Sequence, residues 1–148
     1  MNWGKYFMQI ATAVAVKSKD PYTKVGAVIV DEDHTVRVTG FNGPPRGVRD
    51  SPERLQKPEK YSWVSHAEMN CIAQAARVGV STKDCTLVVT HAPCSMCARL
   101  IVQAGIKRVI VGAGETSMPQ EELDVAAKMF EEADVQVWKL DDTGAEGA

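Results

Sequence analysis

Residues 86–111, TLVVTHAPCSMCARLIVQAGIKRVIV, decide how this chain folds. Thr86-Leu87-Val88-Val89-Thr90 is a short apolar run rich in β-branched residues and predicts a buried strand. Cys97 to Ala104 is a run of helix formers ended by Gly105, and Arg108 to Val111 is strand-like again. Strand, helix, strand in so short a span implies a right-handed parallel crossover. The turn between the first strand and the helix carries Pro93-Cys94-Ser95-Met96-Cys97. Cys94 and Cys97 are three positions apart, so in a first helical turn both thiols project from one face and can grip one ion. Pro93 suits a helix start, where a missing N–H costs nothing. The unpaired N–H groups there favour thiolates, the form that binds metal.

A second stretch, His66-Ala67-Glu68, opens a run of helix formers through Arg77 that stops near Gly79. His66 completes a set of three good zinc ligands. Two thiolates and a neutral imidazole neutralise the divalent ion and leave its fourth position for water, whose pKa zinc can bring to about 7. Glu68, near the metal but not bound to it, then has the position to carry protons. H-x-E followed by P-C-x-x-C is the signature of zinc nucleobase deaminases. Plainer accounts compete. Ser65 with Glu68 three residues on reads as a capping box. A closed zinc knot would take Cys71, Cys85 or His91 as its fourth ligand, although a chain of this size needs no zinc staple. Cys71 and Cys85 otherwise read as small buried hydrophobes and His91 as a polar loop residue.

The remaining sequence frames these motifs. With 148 residues, 45% hydrophobic and 24% charged, the chain reads as one globular domain over 1–148, with a folded core over 1–140 and a frayed acidic end over 141–148. A net charge of -2 argues against a nucleic-acid partner and leaves small anionic ligands open. Four cysteines, no signal peptide and no apolar run near ~20 residues point to a cytoplasmic protein with no membrane partner. Asn2 caps a first helix expected to run to about Lys19, with Trp3, Tyr6, Phe7, Ile10 and Val14 as its buried stripe, and Asp20-Pro21 breaks it. Val25–Val30 and Val36–Phe41 form a hairpin with His34 solvated in its turn. Asn42-Gly43-Pro44-Pro45-Arg46-Gly47 must be irregular, and Arg46, Arg49, Arg54, Lys57 and Lys60 continue to Tyr61. A charged surface loop and a phosphate site are both open for that segment. Gly112-Ala113-Gly114 reads as a flexible link, followed by a helix capped within 117–120 and ending at Glu132, then a strand over Val135–Leu140. The sum is α/β: a mixed five-stranded sheet with helices on both faces and ligand-bearing helix starts at the strands' carboxyl ends.

Taken together, these residues resemble the deoxycytidylate (dCMP) deaminases of the cytidine deaminase superfamily from about Phe7 to Trp138. The resemblance rests on Asp20-Pro21 leading to Lys24-Val25-Gly26-Ala27, Gly40 to Gly47, Lys60-Tyr61 before His66-Ala67-Glu68-Met69-Asn70, and Gln103-Ala104-Gly105-Ile106-Lys107. It implies a cytidine-deaminase-like three-layer α/β/α fold that hydrolyses dCMP to dUMP and ammonia and supplies dUMP for thymidylate synthesis. His66, Cys94 and Cys97 would hold zinc and Glu68 would shuttle protons. Asn42 matches the sugar-contacting asparagine, and Val25 and Ala67 match the base pocket. The resemblance further implies activation by dCTP and inhibition by dTTP, bound with Mg2+ through Asn42, Gly43, Arg46 and Gly47, with Lys24 and Arg49 as weaker contributors, in a homo-hexamer. Some phage members carry a second, structural zinc on extra cysteines, absent at those places here, so one zinc per chain is expected. Many members also carry a tyrosine after the strand ending near Val111. Glu115 stands nearest that place and would repel a phosphate, which shifts phosphate recognition to Arg77 or a neighbouring subunit. Rival readings are a nucleoside or free-base deaminase, a tRNA deaminase, which Pro93-Cys94-x-Met96-Cys97 also suits, and a zinc-stabilised nucleotide sensor.

Overall fold

A computed structural model describes residues 1–140 and the backbone of 146–147. The elements run α1 (Trp3–Ala15), β1 (Gly26–Val30), β2 (Val36–Phe41), α2 (Pro52–Leu55), α3 (Lys60–Trp63), α4 (Ala67–Val78), β3 (Thr86–His91), α5 (Ser95–Gln103), β4 (Arg108–Gly114), α6 (Gln120–Glu132), β5 (Gln136–Leu140) and β6 (Glu146–Gly147). The strands lie in the order β2-β1-β3-β4-β5-β6. β1 is antiparallel to β2 and to β3, while β3, β4 and β5 are mutually parallel. This is the expected mixed five-stranded sheet, with the backbone of β6 added antiparallel to β5. The rest of the end expected to fray, within 141–148, lies outside the described residues.

Side-chain alternation along the strands divides the core between two faces. Ala27, Ile29, Leu87, Val89, Val109 and Val111 point to one side, where Ala67, Cys71, Ala98, Ile101 and Phe130 of α4, α5 and α6 cover them. Val28, Val30, Val88 and Ile110 point to the other, where Phe7 and Ala11 of α1 lie. Each fully buried Val, Leu, Ile or Phe contributes roughly 1.5–3 kcal/mol, so the three layers are held mainly by this burial. Two glycines set how closely helices approach. A Cβ on Gly26 would fall 2.0 Å from the Ala11 carbonyl oxygen, and one on Gly40 would fall 2.6 Å from the Cys71 amide nitrogen. The first seats α1 on β1, and the second seats α4 on β2.

Several sequence expectations shift. α1 stops at Ala15 rather than Lys19, and Ser18 turns inward to donate to the Asn42 carbonyl oxygen. Of the expected buried stripe only Phe7 is fully buried; Trp3 and Tyr6 are exposed because α1 meets the sheet along its Phe7–Ala11 side. Trp3 instead stacks on His34 at 4.0 Å between ring centroids, so the exposed turn histidine has an aromatic partner. Gly112–Gly114 is not a link but the end of β4, where backbone pairing continues to His91 opposite Gly114. The insert after Gly47 contains two short helical turns, α2 and α3, which no apolar period announced. Among the described residues no helix is long and apolar enough to cross a membrane.

Candidate active site

The chain enters both α4 and α5 through extended residues that carry metal-binding atoms. His66 is the N-cap of α4 and Cys94 the N-cap of α5, with Cys97 in the first turn behind it. Pro93 therefore precedes the cap instead of occupying the first helical position. β3 ends at His91, so the antiparallel and parallel neighbours of this central strand fix where Cys94 emerges. On the other side Asn70 donates to the Phe41 carbonyl oxygen at 2.8 Å, tying the first turn of α4 to the end of β2. The two helix starts thus meet without a direct connection in sequence.

His66 Nδ1 lies 3.3 Å from Cys97 Sγ and 3.5 Å from Cys94 Sγ. Ligands placed tetrahedrally around zinc at ordinary bond lengths stand about 3.6 Å apart, so these donors fit that ion. The three ligand atoms all lie within 4.8 Å of one another, and they form the one such cluster among the described residues. The alternative fourth ligands do not join this cluster. Cys71 Sγ points at the Ala27 and Val38 carbonyl oxygens, Cys85 Sγ at the Ser81 carbonyl oxygen, and His91 Nδ1 is 2.7 Å from Thr90 Oγ1. A three-ligand set leaves a position open for water or substrate, as catalytic zinc sites do.

The Cys97 thiol donates to Cys94, and this bond, with a further contribution from His66, holds the Cys94 thiol down at about 4. The same bond and burial push Cys97 up. Hydrogen bonding with Cys94 raises His66. Metal binding must displace the Cys97 proton, so affinity rises with pH. Glu68, in the first turn of α4, is 4% exposed, and burial pushes its carboxyl up. The capping-box account of this residue does not hold, because the cap falls on His66 rather than Ser65 and makes no side-chain cap bond.

His66, Glu68 and Cys94 line a cavity of about 470 Å³, and Cys97 is fully buried beside them. Val25, Asn42 and Ala67 also line it, so these predicted substrate contacts are brought to one place. Asn42 Oδ1 accepts from the Val25 N–H at 2.9 Å and its Nδ2 donates to the Thr23 carbonyl oxygen at 2.9 Å. That leaves the amide one donor and one lone pair for a ligand. Arg77 and Glu115 are exposed and do not line the cavity. Arg77 is ten residues past the start of α4, about 15 Å along its axis. Gly43 is buried and pairs with Ser65 through two backbone bonds, while Lys24, Arg46, Gly47 and Arg49 are exposed beyond the cavity wall. Gly47 has a φ of 83°, in the left-handed region that favours glycine.

Sequence reasoning named further lining residues but not the contacts they make. Lys60 Nζ meets Asp20 Oδ2 at 2.6 Å, with only 1% of the Asp20 side chain exposed. Burial alone would raise the Asp20 carboxyl, but hydrogen bonds from Lys60, Tyr22 and Thr23 outweigh it and hold the group below its ordinary value. Lys57 and Tyr22 continue this wall. Across the cavity Glu122 of α6 accepts from both the amide and the hydroxyl of Ser95, at 3.3 and 2.8 Å, and so braces the start of α5. Asp20-Pro21 and Lys60-Tyr61 stood out in the sequence separately. Nothing in a separation of forty residues announced that they meet.

The family description "Cytidine and deoxycytidylate deaminase zinc-binding region" matches residues 1–113. The chain is 41% identical over 139 residues to an uncharacterised deaminase of the luxG 3′ region in Aliivibrio fischeri, covering 92% of each. It is 38% identical over 146 residues to the deoxycytidylate deaminase of Pongo abelii, covering 95% of this chain and 80% of the relative. The crystal structure of the dCMP deaminase from cyanophage S-TIM5 in complex with dCMP and dUMP superposes with a TM-score of 0.74 at 26% identity, over 91% of this chain and 94% of that one. The matched region contains all three ligand positions and Glu68, and the fold agrees over nearly the whole length: the chain belongs to the cytidine and deoxycytidylate deaminase zinc-binding family.

Proposed function

We propose that this protein hydrolyses dCMP to dUMP and ammonia in the cytoplasm, supplying dUMP for thymidylate synthesis. The observation that carries the reading is the buried Glu68 carboxyl, which lines the cavity beside the His66, Cys94 and Cys97 cluster. His66, Cys94 and Cys97 would hold zinc, which when bound would supply the Lewis acidity that lowers the pKa of water toward neutral. Glu68 takes a proton from the attacking water and delivers it to the ring nitrogen next to the reacting carbon. It then carries a second proton to the amino group, so that the C–N bond breaks with ammonia leaving and the carbonyl of dUMP forming. Burial, which raises Glu68, suits a carboxyl that must be both base and acid. Asn42 is proposed to contact the sugar through its remaining amide valences, and Val25 and Ala67 to flank the base.

The regulatory half of the reading is that dCTP activates and dTTP inhibits, bound with Mg2+ by Asn42, Gly43, Arg46 and Gly47, assisted by Lys24 and Arg49, in a homo-hexamer. Its support is local. Arg46 and Arg49 have no ion-pair partner among the described residues and flank a left-handed glycine. Ammonia release from dCMP and deoxycytidine by zinc-loaded protein, with dCTP or dTTP and magnesium added, tests both halves. Preferred turnover of dCMP that dCTP raises and dTTP suppresses is the expected result. Turnover with no effector response would remove the regulatory half, and equal turnover of deoxycytidine would remove the nucleotide preference.

A further inference from the structure

Two stretches of the cavity lining are not used by the chemistry: Thr116–Pro119, which carries no charged side chain, and the turn at Asp20–Thr23 with Lys57, Lys60 and Tyr61 of the insert. A substrate whose amino-bearing carbon reaches Glu68 must place its base against the buried lining residues Glu68 and Cys94 and leave its sugar and 5′ substituent toward the exposed ones. The exposed lining residues are Tyr22, Lys57 and Tyr61 on one stretch and Met96, Thr116, Ser117 and Pro119 on the other, and only the first stretch carries a cation. Asp20 organises both parts of that first stretch, the turn and the insert. Its Oδ1 accepts from the Tyr22 and Thr23 N–H groups at 2.8 and 3.1 Å, and its Oδ2 holds Lys60. Tyr22 passes this order on, because its hydroxyl donates to Gln56 Oε1 at 3.0 Å and accepts from the Lys57 N–H at 3.3 Å. Lys57 Nζ then lies 4.5 Å from the centre of the Tyr22 ring.

Charge pairing leaves Lys57 as the group with something to offer. Of the carboxylates lining the cavity, Asp20 is bound to Lys60 and Glu122 to Ser95, while Glu68 is buried beside the metal ligands. Lys60 is therefore neutralised. Lys57 is exposed and has no carboxylate partner among the described residues, so it is the cation of this wall whose charge is uncompensated. A lysine is a compact point charge on a flexible stem with three donors, suited to a phosphate whose position is set by the rest of the nucleotide. From this we infer that Lys57, carried on Tyr22, is the specificity-determining residue that reads the 5′-phosphate of the substrate. The assignment rests on the dCMP reading above and deepens it. It supplies from the insert the phosphate contact that neither Arg77 nor Glu115 stands on the cavity wall to make.

Steady-state kinetics of Lys57→Ala, Lys57→Glu and Lys57→Arg on dCMP and deoxycytidine provide the test. Losing a charge-assisted bond to phosphate should raise KM for dCMP about tenfold in Lys57→Ala and further in Lys57→Glu, with kcat little changed. Deoxycytidine, which has no phosphate, should be turned over by all three variants within about twofold of the wild type, which also verifies that each is folded. Lys57→Arg should retain most of the preference for dCMP, and Tyr22→Phe should lose part of it. An unchanged KM for dCMP in Lys57→Ala, or equal losses on both substrates, would overturn the role of Lys57 while leaving the deaminase reading intact. Failure of the wild type to deaminate either substrate would instead overturn that reading, and this inference with it.

Discussion

His66, Cys94 and Cys97 are held by the core, whereas Lys57 and Lys60 are held by two turns and an ion pair. The ligand-bearing helix starts rest on strands whose residues are almost wholly buried and on helices that share one apolar cluster. The other wall has little apolar burial, with Leu55 as the buried side chain of its short helices, and depends on Asp20, Tyr22 and Lys60. Chemistry that needs positions fixed to a fraction of an ångström sits on the rigid scaffold. Substrate discrimination sits on the part that can vary without unfolding it.

That contrast is broken most severely at the metal. Cys97→Ala should remove stoichiometric zinc and lower turnover by at least about 1,000-fold, measured by metal analysis and ammonia release. At the other wall Asp20→Asn should cost about 3 kcal/mol in urea unfolding at pH 7, because it strands Lys60 in a largely buried position. The pH dependence has a definite sign. The Asp20 carboxyl lies below its ordinary 3.8 in the folded chain, so its stabilisation is fully present above that value and is lost as pH falls through the folded one. Wild type and variant should therefore converge in acid.

Gly40→Ala sharpens the comparison from the core side. Its Cβ would meet backbone of α4, which a rotamer change cannot relieve, so a loss of about 2 kcal/mol and weaker zinc retention are expected by thermal melting and metal titration. Smallest is Trp3→Ala, which removes an exposed stack on His34 remote from the cavity; stability should drop by less than about 1 kcal/mol with turnover unchanged.

How far the sequence could be read follows the same division. The H-x-E and P-C-x-x-C motifs were legible because each is local and its spacing has a chemical reason, and the strand between them, β3, carries a buried apolar run. Pro93 was misplaced by two positions and Gly112–Gly114 was taken for a link, since propensity sees neither a cap built on Cys94 nor backbone pairing that continues to His91. The exposed side of Trp3 was missed because an aromatic stripe does not say which part of it the sheet will cover. The mouth was least legible. Asp20 with Lys60 and Ser95 with Glu122 are contacts between distant segments that no periodicity encodes.

The central claim is that Glu68 moves the protons while His66, Cys94 and Cys97 hold the metal, and Glu68→Gln separates the two roles. Zinc content and dUMP formation should be measured on the wild type and this variant prepared side by side. The account predicts about one zinc per chain in both, with turnover in the variant lower by about 1,000-fold or more. A variant that retains zinc and still forms dUMP at a rate near that of the wild type would contradict it.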